Sequence, residues 1–201
     1  AMDQQQEHSA QPHIGIRRIV GSEIRGSVGI GFLGTTDNNV VSKDSGFNYK
    51  FGLTGVYYFG ENYGVVSGFN VIGNNISYKY KLVDEENVET IEKRSLNNTY
   101  FQIPIVLKMR TDPIADKLRI FGEIGYGFNI LAAKRDKGEY RHPYRDVCSS
   151  LIVHLGMEIE VLNRSTLQLM LGYDDFFTNL MANGYDKIKM RDLCFEIGFL
   201  F

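Results

Sequence analysis

The chain has 201 residues, with 22 Lys and Arg against 24 Asp and Glu and a net charge of -2. That length fits one domain, and a near-neutral balance without any Lys/Arg block excludes an electrostatic footprint for nucleic acid. The 21 Gly, 12 Tyr and 13 Phe against 4 Pro and no Trp favour a β architecture, and no apolar run approaches the roughly 18 residues of a spanning helix.

Residues 1–23 are polar and carry no apolar signal-peptide core. Ala1-Met2 reads as an expression scar. The rest of 1–23 reads as a flexible N-terminal segment of a mature secreted chain whose leader was removed, loosely ordered from Asp3 to about Gln11. From residue 24 onward, period-2 patterning predicts eight strands, at 24–33, 47–59, 64–81, 96–109, 118–133, 148–161, 166–177 and 191–201. Short links at 60–63, 110–117 and 162–165 alternate with longer polar links at 34–46, 83–95, 134–147 and 178–190. This alternation describes an up-and-down meander with one end in a confined compartment. Bacterial outer-membrane barrels have short periplasmic turns and long extracellular loops. An even strand number then puts both ends on the short-turn side and points 35–45, 84–94, 135–146 and 179–189 away from the cell.

Each strand sorts into two faces. In 191–201, Leu193, Phe195, Ile197, Phe199 and Phe201 share one parity, and Asp192, Cys194, Glu196 and Gly198 the other. The apolar parity continues upstream through Phe101, Ile103 and Ile105, and through Leu167, Leu169 and Leu171. The opposite parity holds Arg25, Lys50, Lys108, Arg119, Glu123, His154, Glu158, Glu160, Gln168, Asp174 and Glu196, interleaved with glycines. A soluble calycin-type barrel turns the apolar face inward, and a membrane barrel turns it outward. The glycines favour the membrane barrel. Gly29, Gly31, Gly52, Gly68, Gly125, Gly127, Gly156, Gly172 and Gly198 all share the polar parity. Glycine weakens a water-facing strand but fits a crowded eight-stranded lumen. A slightly negative mean hydropathy agrees with a wall that is polar on one side. Without Trp, any interfacial girdle falls to Tyr49, Tyr57, Phe59, Phe101, Tyr126, Tyr173 and Phe177.

Tyr100-Phe101-Gln102-Ile103-Pro104-Ile105-Val106-Leu107-Lys108 resembles the Tyr-x-(Glu/Gln)-(Ile/Val)-Pro-(Leu/Ile)-x-x-Lys strand of the PorT-like outer-membrane β-barrel family. Phe121-Gly122-Glu123-Ile124-Gly125-Tyr126-Gly127 resembles that family's following strand, and Ile197-Gly198-Phe199-Leu200-Phe201 its final one. The resemblance implies an eight-stranded barrel in a Gram-negative outer membrane and little chemistry, since most members have no known activity. On this reading Pro104, lacking a ladder donor, occupies a bulge or kink.

The lumen charges Arg25, Lys50, Lys108, Arg119, Glu123, His154, Glu158 and Glu196 are expected to form a mixed network, because unpaired charge there is costly. The expected function is a structural or interaction scaffold with a charge-plugged lumen; a narrow pore and a lipid-modifying enzyme are the alternatives. The enzyme would draw on Ser149, Ser150, His154, Asp174 and Asp175, yet no spacing assembles them into a catalytic set. Gly29-Ile30-Gly31-Phe32-Leu33-Gly34 matches dinucleotide-fingerprint letters but sits in a strand pattern with no helix following. No two of His8, His13, His142 and His154 have metal-ligand spacing, so neither metal nor cofactor is expected. Cys148 and Cys194 fall two strand spacings apart, beyond disulfide reach, and read as free buried thiols.

Expected partners are outer-membrane lipid and lipopolysaccharide, the barrel-assembly machinery through the strand ending at Phe201, and an unidentified envelope protein. The charged loop residues Asp84, Glu85, Glu86, Glu89, Glu92, Lys93 and Arg94, then Lys134 to Lys137 and Arg141 to Arg145, are the expected points of contact.

Overall fold

The computed structural model describes residues 19–35, 40–83, 89–114, 117–134, 145–162, 165–180 and 188–201. The described residues form nine strands: β1 (Ile19–Thr35), β2 (Val40–Lys43), β3 (Gly46–Tyr58), β4 (Tyr63–Val83), β5 (Glu89–Arg110), β6 (Leu118–Lys134), β7 (Val147–Leu162), β8 (Ser165–Phe176) and β9 (Ile188–Leu200). They pair antiparallel in the order β2-β4-β3-β1-β9-β8-β7-β6-β5, and β5 returns to β4, so the sheet closes on itself.

Nine strands make eight staves because β2 prolongs β3. Both run antiparallel to β4, with Lys43 opposite Tyr78 and Phe47 opposite Asn75, and the Asp44 N–H donates to the Ser77 carbonyl at 3.0 Å between them. The fold is therefore a closed eight-stranded antiparallel β-barrel, as the strand count predicted.

The two faces separate as the parity predicts. Burial alternates residue by residue through β3 and β9, with Phe51, Leu53, Phe195 and Ile197 outward and Lys50, Gly52, Glu196 and Gly198 inward. Leu171 is 62 % exposed while its neighbour Gly172 is buried. A wall greasy outside and polar inside is stable only against hydrocarbon. The inward glycines are spaces that other side chains fill. A Cβ on Gly127 would meet Gln102 Nε2 at 2.6 Å and Ser150 Oγ at 2.7 Å, and one on Gly172 would meet Cys194 Sγ at 2.7 Å.

The structure departs from expectation at several points. The link expected at 34–46 contains β2, a short strand whose pairing with β4 the period-2 pattern did not reveal. β1 begins at Ile19, so Glu23 belongs to the wall and not to the N-terminal segment assigned to 1–23. The stretch expected as a loop at 83–95 is largely ladder: β4 and β5 stay paired out to Val83 and Glu89, raising a hairpin above the rest of the barrel. Glu89, Glu92, Lys93 and Arg94 are strand residues, while Asp84, Glu85 and Glu86 lie outside the described residues. Pro104 makes no bulge. It faces Gly127 in a β5–β6 register that is continuous from Tyr100 to Arg110, the one shift in that ladder falling earlier, between Thr99 and Tyr100. On the β4 side the pairing lapses only at Gly68 and Phe69 before resuming in the same register. A missing N–H costs bonds at one point and need not shift a strand. The expected charged loop residues at 135–144, and the tail at 3–11, fall outside the described residues.

Candidate functional site in the barrel lumen

Among the described residues the lumen is where chemistry-bearing side chains gather in number, and register explains why. Residues of polar parity on eight tilted staves converge within a space one side chain deep. Arg25 on β1 forks onto Glu123 of β6, its Nη1 and Nη2 donating to the two carboxylate oxygens at 2.8 and 2.7 Å. Its Nε donates to Glu23 Oε2 at 2.8 Å, and Nη1 lies 3.5 Å from Glu196 Oε1. Lys108 on β5 is fully buried, 2.7 Å from Glu158 and 3.5 and 3.6 Å from Glu23 and Glu123, with its ammonium 4.1 Å above the Phe121 ring. Lys50 on β3 sits 3.2 Å from both Asp174 and Glu196.

His154 bridges the two halves, with Nδ1 at 3.1 Å from Glu123 Oε2 and Nε2 at 3.6 Å from Asp174 Oδ1. Thr54 and Gln168 donate to Glu23 at 3.0 Å each. A neutral amide lattice adjoins this charge cluster: Asn70 donates to Gln102, whose Nε2 donates to Asn129 and Ser150. Asn48 donates to Asp192, which faces Asp174 across the β8–β9 ladder. Glu23, Arg25 and Glu123 are each hydrogen-bonded several times over, whereas Lys108 Nζ and Glu196 Oε2 are held by ion pairing without a hydrogen bond. Opposite charge at close range is what offsets their withdrawal from water.

The expected network is thus assembled for Arg25, Lys50, Lys108, Glu123, His154, Glu158 and Glu196, and it corrects two assignments. Arg119, the second residue of β6, is only half-buried and donates to the Thr111 carbonyl at 3.2 Å in the adjoining turn. Its register opposite Glu158 places it at the barrel end, where its long side chain reaches out of the lumen. Glu160 is exposed beside the register shift that precedes Leu162, a dislocation that takes it off the lumen wall. Glu23, Asp174 and Arg110 join the network without having been expected in it. Arg110 closes the short-turn end, 3.7 Å from Glu158 and 4.0 Å above the Tyr58 ring.

The outward residues Phe101, Ile103, Ile105, Leu167, Leu169, Leu171, Phe195, Ile197 and Phe199 all lie on the outer face, none of them buried. Cys148 and Cys194 are buried free thiols.

At the long-loop end the lumen is apolar. Leu33, Ile72, Ile76, Tyr78, Leu96, Tyr100, Phe176, Leu180, Ile188 and Met190 pack into one buried cluster, with Tyr100 and Phe176 rings 5.9 Å apart. The Arg145 N–H donates to the Leu180 carbonyl and the Leu180 N–H to the Ile188 carbonyl, each at 2.9 Å, tying Leu180 to the start of β9. Parity carried this signal, since Leu96 and Tyr100 alternate with Asn97 and Thr99, but apolar residues of polar parity do not stand out by composition. Two cavities among the charges, one lined by Arg25, Lys50, Glu123, His154 and Glu196 and the other by Asn48, Lys50, Asp174 and Asp192, are ≈ 10 Å³ each. That is room for about one water apiece. Among the described residues no three of His, Cys, Asp and Glu converge as metal ligands. Ser150 is engaged by Gln102 and Asn129, with no base at hand.

A closed barrel with an apolar exterior and an ion-paired interior defines an outer-membrane β-barrel protein of a Gram-negative bacterium. The model of the family described as "Outer membrane protein beta-barrel domain" matches residues 4–147, and the chain belongs to that family. Among solved structures it is similar to Neisserial surface protein A, with 9 % identity and a TM-score of 0.48 over 90 % of this chain and 97 % of that one. It is similar also to the N-terminal β-barrel domain of Pseudomonas aeruginosa OprF, with 9 % identity and a TM-score of 0.40 over 90 % and 97 %. Ail, the attachment invasion locus protein of Yersinia pestis, gives 14 % identity and a TM-score of 0.39 over 90 % and 98 %. No curated protein matches the chain in sequence.

Proposed function

We propose that this protein is a non-conducting, non-enzymatic outer-membrane scaffold, a rigid stave that presents its long-loop end to partners outside the cell. The observation that carries this reading is the filled lumen. An ion-pair network spans its middle, the Tyr100–Phe176 cluster closes the long-loop end, and Arg110 over Tyr58 narrows the other. A hydrated ion needs a continuous aqueous path, and water-sized voids do not supply one. The lipid-modifying alternative loses support because His154 is buried between carboxylates inside the barrel, and the Cys194 thiol near it is buried there too, both on the face turned away from lipid. The Ile-Pro strand around Pro104 favours the PorT-like branch of these barrels.

Planar-bilayer recording tests the reading. The purified protein should insert without unitary conductance, and reproducible channel steps from wild-type protein would assign it a pore role instead.

A further inference from the structure

The hairpin that β4 and β5 raise above the barrel has an outward face of unusual composition. On these two strands the apolar belt ends at Val71 and Phe101, which are cross-strand partners. Above them comes Gly73 with Thr99, where the Tyr49 ring lies over the glycine, and then the outward pairs Asn75 with Asn97, Ser77 with Ser95, and Lys79 with Lys93. The same side chain stands opposite itself three times running, and each is a hydrogen-bond donor. On β2, Ser42 lies beside Lys79 and extends the row.

Like charges directly opposite one another across a ladder destabilise it. Lys79 and Lys93 are both exposed, and among the described residues neither has a carboxylate in ion-pair reach. One row higher, Lys81 is paired with Glu89. Glu89, on the same face, is thus already engaged, and the uncompensated pair below it leaves a place where an anion would be welcomed by both ammonium groups at once.

Height selects the anion. Eight residues separate Val71 from Lys79 and Phe101 from Lys93. At the strand rise and tilt of a membrane barrel, that is roughly 20 Å above the belt. A phospholipid headgroup layer is only about 5–7 Å deep. The lysine pair stands beyond it, over a face that continues straight up from the lipid-facing wall. We infer that this face binds the phosphorylated saccharide of an outer-leaflet glycolipid, with Lys79 and Lys93 holding phosphate and Asn75, Asn97, Ser77 and Ser95 meeting sugar hydroxyls. The inference depends on the outer-membrane location and is independent of whether the lumen conducts.

The test uses the folded protein in phosphatidylcholine nanodiscs, titrated with lipopolysaccharide of short core and with the same glycolipid after enzymatic dephosphorylation. Binding by the wild-type protein should weaken on the order of twentyfold in Lys79→Gln/Lys93→Gln. It should weaken comparably when the phosphates are removed, and return in Lys79→Arg/Lys93→Arg. Lys117→Gln/Arg119→Gln at the opposite end should bind as wild type. Heat-modifiable migration on gels confirms that each variant is a closed barrel. Equal affinity of the Gln pair and wild type overturns the inference, as does indifference to dephosphorylation. Equally tight binding of the delipidated phosphosaccharide would assign a soluble polyanion and overturn the membrane source.

Discussion

Glu123 is the residue on which the lumen most depends, and Glu123→Gln is the sharpest perturbation of it. The substitution keeps shape and volume but removes the charge that receives both Arg25 Nη groups, at 2.8 and 2.7 Å, and that faces Lys108 at 3.6 Å and His154 at 3.1 Å. Removing one partner of a fully desolvated ion pair costs about 3–5 kcal/mol. Arg25 retains Glu23 at 2.8 Å and Glu196 at 3.5 Å, so the low end applies, about 3 kcal/mol. The assay is reversible urea unfolding in lipid vesicles, read as a midpoint shift at unchanged slope. Glu160→Gln, an exposed carboxylate of the same barrel, should stay within about 0.5 kcal/mol of wild type. Arg25→Met/Glu123→Leu should be less destabilised than Glu123→Gln, because removing both charges leaves none stranded. A Glu123→Gln barrel as stable as wild type would refute the claim that paired burial organises the interior.

Crowding at the inward glycines predicts that Gly127→Ala is destabilised by about 1–3 kcal/mol in the same unfolding assay, because its Cβ would press into the Gln102–Ser150 hydrogen bonds. Phe176→Ala should cost about 3–5 kcal/mol, yet show no conductance in planar bilayers, since the ion network closes the lumen below it. Cys148 and Cys194 should resist a bulky, membrane-impermeant maleimide in the folded barrel and both react in urea, as mass spectrometry would show.

The sequence carried the architecture because a two-residue period is an arithmetic signal. Once Phe195, Ile197 and Phe199 share a face with each other and Glu196 and Gly198 share the opposite one, closure follows from strand number. It was weaker wherever a strand leaves the bilayer. Above the belt no hydrocarbon enforces alternation, so Glu89 to Ser95, rich in charge, read as loop although hydrogen bonding continues through it. At the other end Glu23 hid in a polar prelude, although it stands two residues before Arg25 on the same face. Arg119 fits the parity yet escapes the lumen, because parity says which side of the wall a residue starts on and not how far a long side chain reaches. The apolar plug was equally hidden: Ile76, Tyr78, Leu96 and Tyr100 face inward, where a membrane barrel was expected to hold only polar groups.

The seam between β1 and β9 sets the order in which this wall can be completed. Arg25 lies on the first stave, beside Gly198 and near Glu196 of the ninth strand, and Lys50 leans on that same Glu196. Until β9 arrives, two cations of the early staves lack one of their counter-charges, and Ser22 lacks the reciprocal backbone bonds it makes with Phe201. A half-made barrel of this sequence is therefore electrostatically unfinished as well as open-edged, and zipping the final stave settles both debts in one motion.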